Sequence, residues 1–100
     1  MSIEGLKKKF GIRMKTVEKW LMEPDRVSNY TVDSDGEISC IVKGESDEYA
    51  VTISRNGVVS CGCWGWKRHQ KTCKHILFTV IHSWINGNLN TADLNSILEG

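Results

Sequence analysis

Apolar residues recur every three or four positions over the first quarter of the chain. Ile3, Leu6, Phe10, Met14, Val17 and Leu21 trace one stripe, so residues 2–22 are expected to be helical. Gly11 interrupts the stripe, and a helical hairpin with its turn there fits as well as one continuous helix. Pro24 ends the segment.

Beyond Pro24 the period changes to two. Tyr30, Thr31 and Val32 lead into Asp33-Ser34-Asp35-Gly36, a turn composition. Ile38, Cys40 and Val42 then alternate with Glu37, Ser39, Ile41 and Lys43. A second turn follows at residues 44–47. Tyr49, Val51 and Ile53 next alternate with Ala50, Thr52 and Ser54. Asn56-Gly57 separates that run from Val58–Cys61, a strong signal for a tight hairpin. The expectation is a three-stranded antiparallel meander, or four strands if residues 30–32 join. Residues 64–72 read as a loop. Thr72 is a fair N-cap for a helix over Cys73–Ile85, which Asn86-Gly87 would end. A short final helix is expected near residues 92–98. The fold class is therefore α+β, with a helical segment at 1–24, a sheet-and-helix unit at 25–89 and a short C-terminal helix within 90–100.

The chemistry concentrates where the meander meets the helix. CGCWGWKRHQKTCKH places Cys61, Cys63, Cys73 and His75 inside fifteen residues. Thiolate sulfur and imidazole nitrogen suit Zn²⁺, and four of them complete its tetrahedron. A Cys-x-Cys pair closes poorly on itself as a disulfide, yet presents both sulfurs to one ion. The competing readings are two long-range disulfides, or reduced core thiols beside an ordinary histidine. No secretory signal is evident at the N-terminus, so a reducing, cytoplasmic setting is expected, which favours metal over disulfide. One structural zinc is the expected cofactor. It would form a knuckle between the last strand and the helix. His69 is a rival fourth ligand. His82 reads as a surface or partly buried residue, and Cys40 as a small core hydrophobe.

Composition narrows the partners only locally. The 100 residues carry a net charge of +1, so no global argument for nucleic acid exists. The distribution is uneven: residues 1–24 sum to +3, 25–60 to −4, 61–89 to +4 and 90–100 to −2. Two basic patches survive the near-neutral total. No apolar run approaches the ~20 residues of a membrane span.

The stretch resembles the SWIM-type zinc finger family, whose motif is Cys-x-Cys, a variable loop and Cys-x-His. On this chain the motif falls on Cys61, Cys63, Cys73 and His75. The resemblance runs over residues 15–86. It takes in a short helix, a turn, EISCIVKGESDEYAVTISRNGVVSCGC with the family's V.G…Y.V.I strand pattern, and then CKHILFTVI. The family often has alanine three residues after the histidine, where this chain has Phe78; the departure concerns helix packing rather than metal. Members include helicase-like remodelling ATPases, Mutator-type transposases and recombination accessory factors. The resemblance implies nucleic-acid or protein binding, with no catalysis of its own.

Two segments are candidates for nucleic-acid contact. Trp64 and Trp66, interleaved with Lys67, Arg68 and Lys71 and followed by Lys74, can stack bases and pair phosphates. The alternative is that the tryptophans pack over the knuckle, since two large apolar rings are costly to leave in water, while the cations stay solvated. LKKKFGIRMKTVEKWL resembles a helix-turn-helix, with Leu6, Phe10, Ile12, Val17 and Trp20 apolar and Gly11 at the turn. Arg13, Lys15, Thr16 and Lys19 would then face DNA. The alternative is a plain amphipathic helix packed on the sheet. Lys7 and the lack of a preceding helix both depart from the DNA-reading pattern.

The sequence thus points to a small zinc-binding module that contacts nucleic acid, DNA ahead of RNA, as an accessory factor. A protein-interaction adaptor is the alternative, with Trp84, Ile85, Leu94 and Leu98 meeting a partner. A membrane and a small-molecule substrate are not expected. Enzymatic activity, catalytic zinc or a redox thiol included, is not expected either: four protein ligands leave no open position, and the deaminase signature is missing.

Overall fold

The computed structural model of the chain describes residue 8 and residues 11–44, 47–54, 58–63 and 73–99. The element order is α1 (Ile12–Leu21), a 3₁₀ turn (Pro24–Arg26), β1 (Val27–Val32), β2 (Ile38–Lys43), β3 (Glu48–Ile53), β4 (Val59–Cys61), α2 (Lys74–Ile85) and α3 (Thr91–Glu99). The fold is α+β. The four strands form one antiparallel meander in sequence order, and α2 packs on one face of it.

The chain turns at Gly11, whose φ of 57° suits glycine, and α1 begins at the next residue. The helix buries Met14, Val17 and Trp20, leaving Leu21 only partly covered. Trp20 thus joins the inner stripe that the spacing assigned to Leu21. The rest of the 2–22 reading, and the Asn56-Gly57 turn, lie outside the described residues. On either side of that turn Ile53 stands opposite Val59, and Ser54 N–H donates to Val58 O at 2.8 Å.

Alternation in β2 and β3 comes out as the sequence pattern requires. Ile38, Cys40, Val42, Val51 and Ile53 all turn inward. β1 joins as the fourth strand and starts three residues earlier than Tyr30. Its early part is hard to read because it carries a bulge. Ser28 pairs with Ile41 and Thr31 with Ser39, so Asn29 and Tyr30 together face Cys40. Asn29 takes up the strain at φ 53°, a conformation asparagine tolerates. The extra residue turns Tyr30 toward α2, where its hydroxyl donates to Ser83 Oγ at 2.7 Å and accepts from Asn88 Nδ2 at 3.1 Å.

α2 is buried almost all round: Ile76, Leu77, Phe78, Thr79, Val80, Ile81 and Ser83 are all inside. Phe78, in place of the alanine common in the resembling family, stands edge-on to Trp20 at 5.9 Å. Its bulk fills the seam between α1 and α2. The helix starts one residue later than expected. Its N-cap is Cys73, and Thr72 is outside the described residues. Asn86, Gly87 (φ 81°) and Asn88 close it, with Gly87 N–H on Trp84 O at 3.1 Å and Asn88 N–H on Ser83 O at 2.8 Å. Asn90 caps α3 through Asp93 N–H at 2.7 Å.

α3 corrects one expectation. Leu94 and Leu98, assigned above to a partner surface, are buried together with Leu89 and Ile97. They dock α3 on α2, because a short helix has no other apolar face to cover. Trp84 packs partly against the core, and Ile85 remains exposed.

Candidate metal centre

Register places the first ligand pair. Cys40, Val51 and Cys61 lie side by side across β2, β3 and β4, so Cys61 shares their inward face. Gly62 N–H extends the ladder by one bond to Ala50 O at 3.1 Å, and Cys63 follows, also buried. Helix initiation places the second pair. Cys73 has extended backbone (φ −88°, ψ 170°), and its sulfur accepts from Ile76 N–H at 3.5 Å, acting as the cap. His75 then falls on the buried side of the first turn of α2.

The ligand atoms of Cys61, Cys63, Cys73 and His75 all lie within 4.8 Å of one another. Zinc–sulfur bonds of about 2.3 Å at a tetrahedral angle put sulfurs about 3.8 Å apart. An ion therefore needs to draw the donors inward by about 1 Å or less. None of the four cysteines is joined in a disulfide, and three of the sulfurs converge with His75. The quartet is a Cys₃His group close enough to hold one metal ion.

His75 supplies the test of fit. It is buried at 5 % exposure, and among the described residues neither Nδ1 nor Nε2 makes a hydrogen bond of ordinary geometry; the ring's one polar neighbour of note is the Cys73 thiolate, whose pKa it helps to lower. Each unsatisfied buried polar atom costs about 1–3 kcal/mol. A metal bond removes that cost at one nitrogen, so the donor set fits a bound ion. The sulfurs are electrostatically uneven. Cys73 is pushed down to about 4, chiefly because the Cys61 thiol donates to its sulfur. Cys61 is raised, first by that same bond, which holds its proton, and then by burial. Metal binding must therefore displace the Cys61 proton.

Several residues to which the motif spacing gives no role surround His75. Trp20 stacks on its ring at 5.7 Å and 28°, and Tyr49 covers it from 4.5 Å. Arg26 sits 5.0 Å from the Trp20 ring centre and donates to Lys43 O at 2.9 Å and Gly44 O at 3.1 Å. Gly44 itself lies against His75 Nε2. The V.G…Y pattern contains Gly44 and Tyr49, but only the folded chain shows that both touch the histidine.

The nucleic-acid candidates are only partly placed. Lys15 and Lys19 are exposed on α1, and Thr16 is half-buried. The Lys74 ammonium lies 5.7 Å from the Trp20 ring centre, beside the metal quartet. The Arg13 side chain, and all of Trp64, Trp66, Lys67, Arg68, His69 and Lys71, lie outside the described residues. α1 packs on α2 through Met14, Val17 and Trp20, as an amphipathic helix does. No described helix is long and apolar enough to cross a membrane.

No family model matches the chain, and neither a curated protein nor a solved structure is found to be similar to it.

Proposed function

We propose that this protein is a small zinc module whose single Zn²⁺ is structural, and that it binds nucleic acid, DNA first, as an accessory factor. The observation that carries the reading is the buried His75 imidazole, with neither nitrogen in a hydrogen bond of ordinary geometry among the described residues, beside three free thiols inside 4.8 Å. Soft sulfur donors with one imidazole select zinc over the oxygen-preferring cations. Four protein donors fill a tetrahedral shell, so the ion clamps rather than catalyses. The resemblance of the motif to SWIM-type zinc fingers supports the same reading.

The nucleic-acid part rests on charge. Lys67, Arg68 and Lys71 lie between the two ligand pairs, so a metal would tether their loop at both ends. Trp64 and Trp66 provide rings for stacking in the same loop. Lys15 and Lys19, with Arg13 and Thr16, form a second contact on α1, and Lys74 adds to the first. The burial of Leu94 and Leu98 weakens the adaptor alternative, since two of its four contact residues serve the core.

The test is a titration of short single- and double-stranded oligonucleotides at two salt concentrations, with zinc content measured on the same sample. Log affinity should fall linearly with log salt. The triple change Lys67→Ala, Arg68→Ala and Lys71→Ala should lower affinity and flatten the duplex slope by up to about 2.7, at about 0.9 for each phosphate no longer neutralised. An unchanged slope and affinity would remove nucleic acid from the proposal and leave the zinc module.

A further inference from the structure

Gly44 follows the last residue of β2 and is buried, with its backbone in a region open to any residue. Its N–H donates to Asp47 O at 2.7 Å, closing the turn to β3. Turn geometry therefore does not demand glycine here, but the surroundings do. A Cβ at this position would lie 2.9 Å from His75 Nε2, 3.0 Å from Tyr49 Cε2 and 3.2 Å from Asp47 O. Gly62, by contrast, would place its Cβ no closer than 3.9 Å to anything.

We propose that Gly44 is a positioning residue for metal binding: its missing side chain is the space that lets the His75 ring reach the three sulfurs. The inference rests on the quartet holding a metal. Ordinary contact between heavy atoms is about 3.5 Å, so a methyl group here requires a shift of about 0.6 Å. Metal–ligand distances tolerate about 0.2 Å. The ring has little freedom to yield sideways. Tyr49 lies on it at 4.5 Å and Trp20 at 5.7 Å. Trp20 is wedged in turn by Phe78 edge-on and by the Arg26 guanidinium. Arg26 also holds the carbonyls of Lys43 and Gly44, so the strand end and the tryptophan are braced by one side chain. Relief must come from the imidazole leaving its place, and the metal then loses its nitrogen donor.

Cobalt(II) substitution reads this directly, because its visible spectrum reports thiolate and imidazole ligation. In Gly44→Ala the Cys₃His spectrum should be replaced by that of a three-sulfur site, with metal affinity falling about 10- to 100-fold, the range for residues that hold a ligand in place. An unchanged spectrum and affinity would overturn the proposal. The same change is then made in a His75→Cys background, where a fourth thiolate replaces the ring. There Gly44→Ala should cost less than about threefold, well below that range, because the 2.9 Å contact with the ring is gone and only the lesser contacts with Tyr49 Cε2 at 3.0 Å and Asp47 O at 3.2 Å remain. An equal loss in both backgrounds, whether of affinity or of folding, would mean that Gly44 serves the turn alone, and would overturn it. If the unaltered chain binds neither zinc nor cobalt, the metal reading itself fails first.

Discussion

If the quartet holds the structural zinc proposed above, stripping the metal should unfold the domain, and the size of the effect follows from the site. A structural Zn²⁺ contributes about 10–16 kcal/mol of apparent binding free energy near neutral pH. The total stability of a domain of this size is about 5–15 kcal/mol. Removing the ion therefore removes as much as the whole fold possesses. The loss is also concentrated. Without metal, His75 sits buried with neither nitrogen in a hydrogen bond of ordinary geometry among the described residues, at about 1–3 kcal/mol each. Its ring is the surface on which Trp20 and Tyr49 pack, so its displacement opens the seam between α1, α2 and the sheet. Chelator at neutral pH should release one zinc per chain. Near-UV circular dichroism should fall toward that of an unfolded chain, and amide cross-peaks of β3 and α2 should collapse to random-coil positions. Readdition of one equivalent should restore both. A metal-free sample that keeps its near-UV signal and dispersed spectrum would refute the reasoning, because the imidazole and sulfurs would then be at rest without an ion.

Two further outcomes follow from the far side of α2. Tyr30→Phe removes the donor to buried Ser83 Oγ and the acceptor for Asn88, and should cost about 1–2 kcal/mol in urea unfolding of the zinc-loaded protein; a change under about 0.3 kcal/mol would show that the bulge at Asn29 serves no such bond. Burial lowers the pKa of His82, which packs between Tyr30 and Phe78. The folded state therefore binds this proton less readily than the unfolded one, so the stability His82 contributes is present above the unfolded value of about 6.5 and is lost as pH falls through the lowered folded value. An NMR titration of the His82 ring should give a midpoint below about 6.5, and one at or above it would contradict the packing.

Much of the fold was legible because its signals are local. The alternation of Ile38, Cys40 and Val42 against Tyr49, Val51 and Ile53 defines two half-buried strands wherever the chain places them. Asn86-Gly87 stops a helix by its own dihedral preferences. Cys-x-Cys and Cys-x-His pointed to a quartet that could hold a metal, because spacing alone brings each pair within reach of one ion. The strand at Val27–Val32 was legible only from Tyr30 onward. Its bulge breaks the period of two, and no pattern in Val27-Ser28-Asn29 reveals which residue will be squeezed out.

By itself the sequence determined the donor set, the strand faces and the end of the central helix, since these depend on residue type and on neighbours a few positions away. Tertiary structure decided three things that local pattern does not reach. It made Cys73 the cap of α2. It took Leu94 and Leu98 into the core, because a nine-residue helix has only one place to bury its apolar side. And it brought Trp20, Gly44 and Tyr49 around His75, contacts that exist only once α1, the end of β2 and the start of β3 are packed against the same turn of helix.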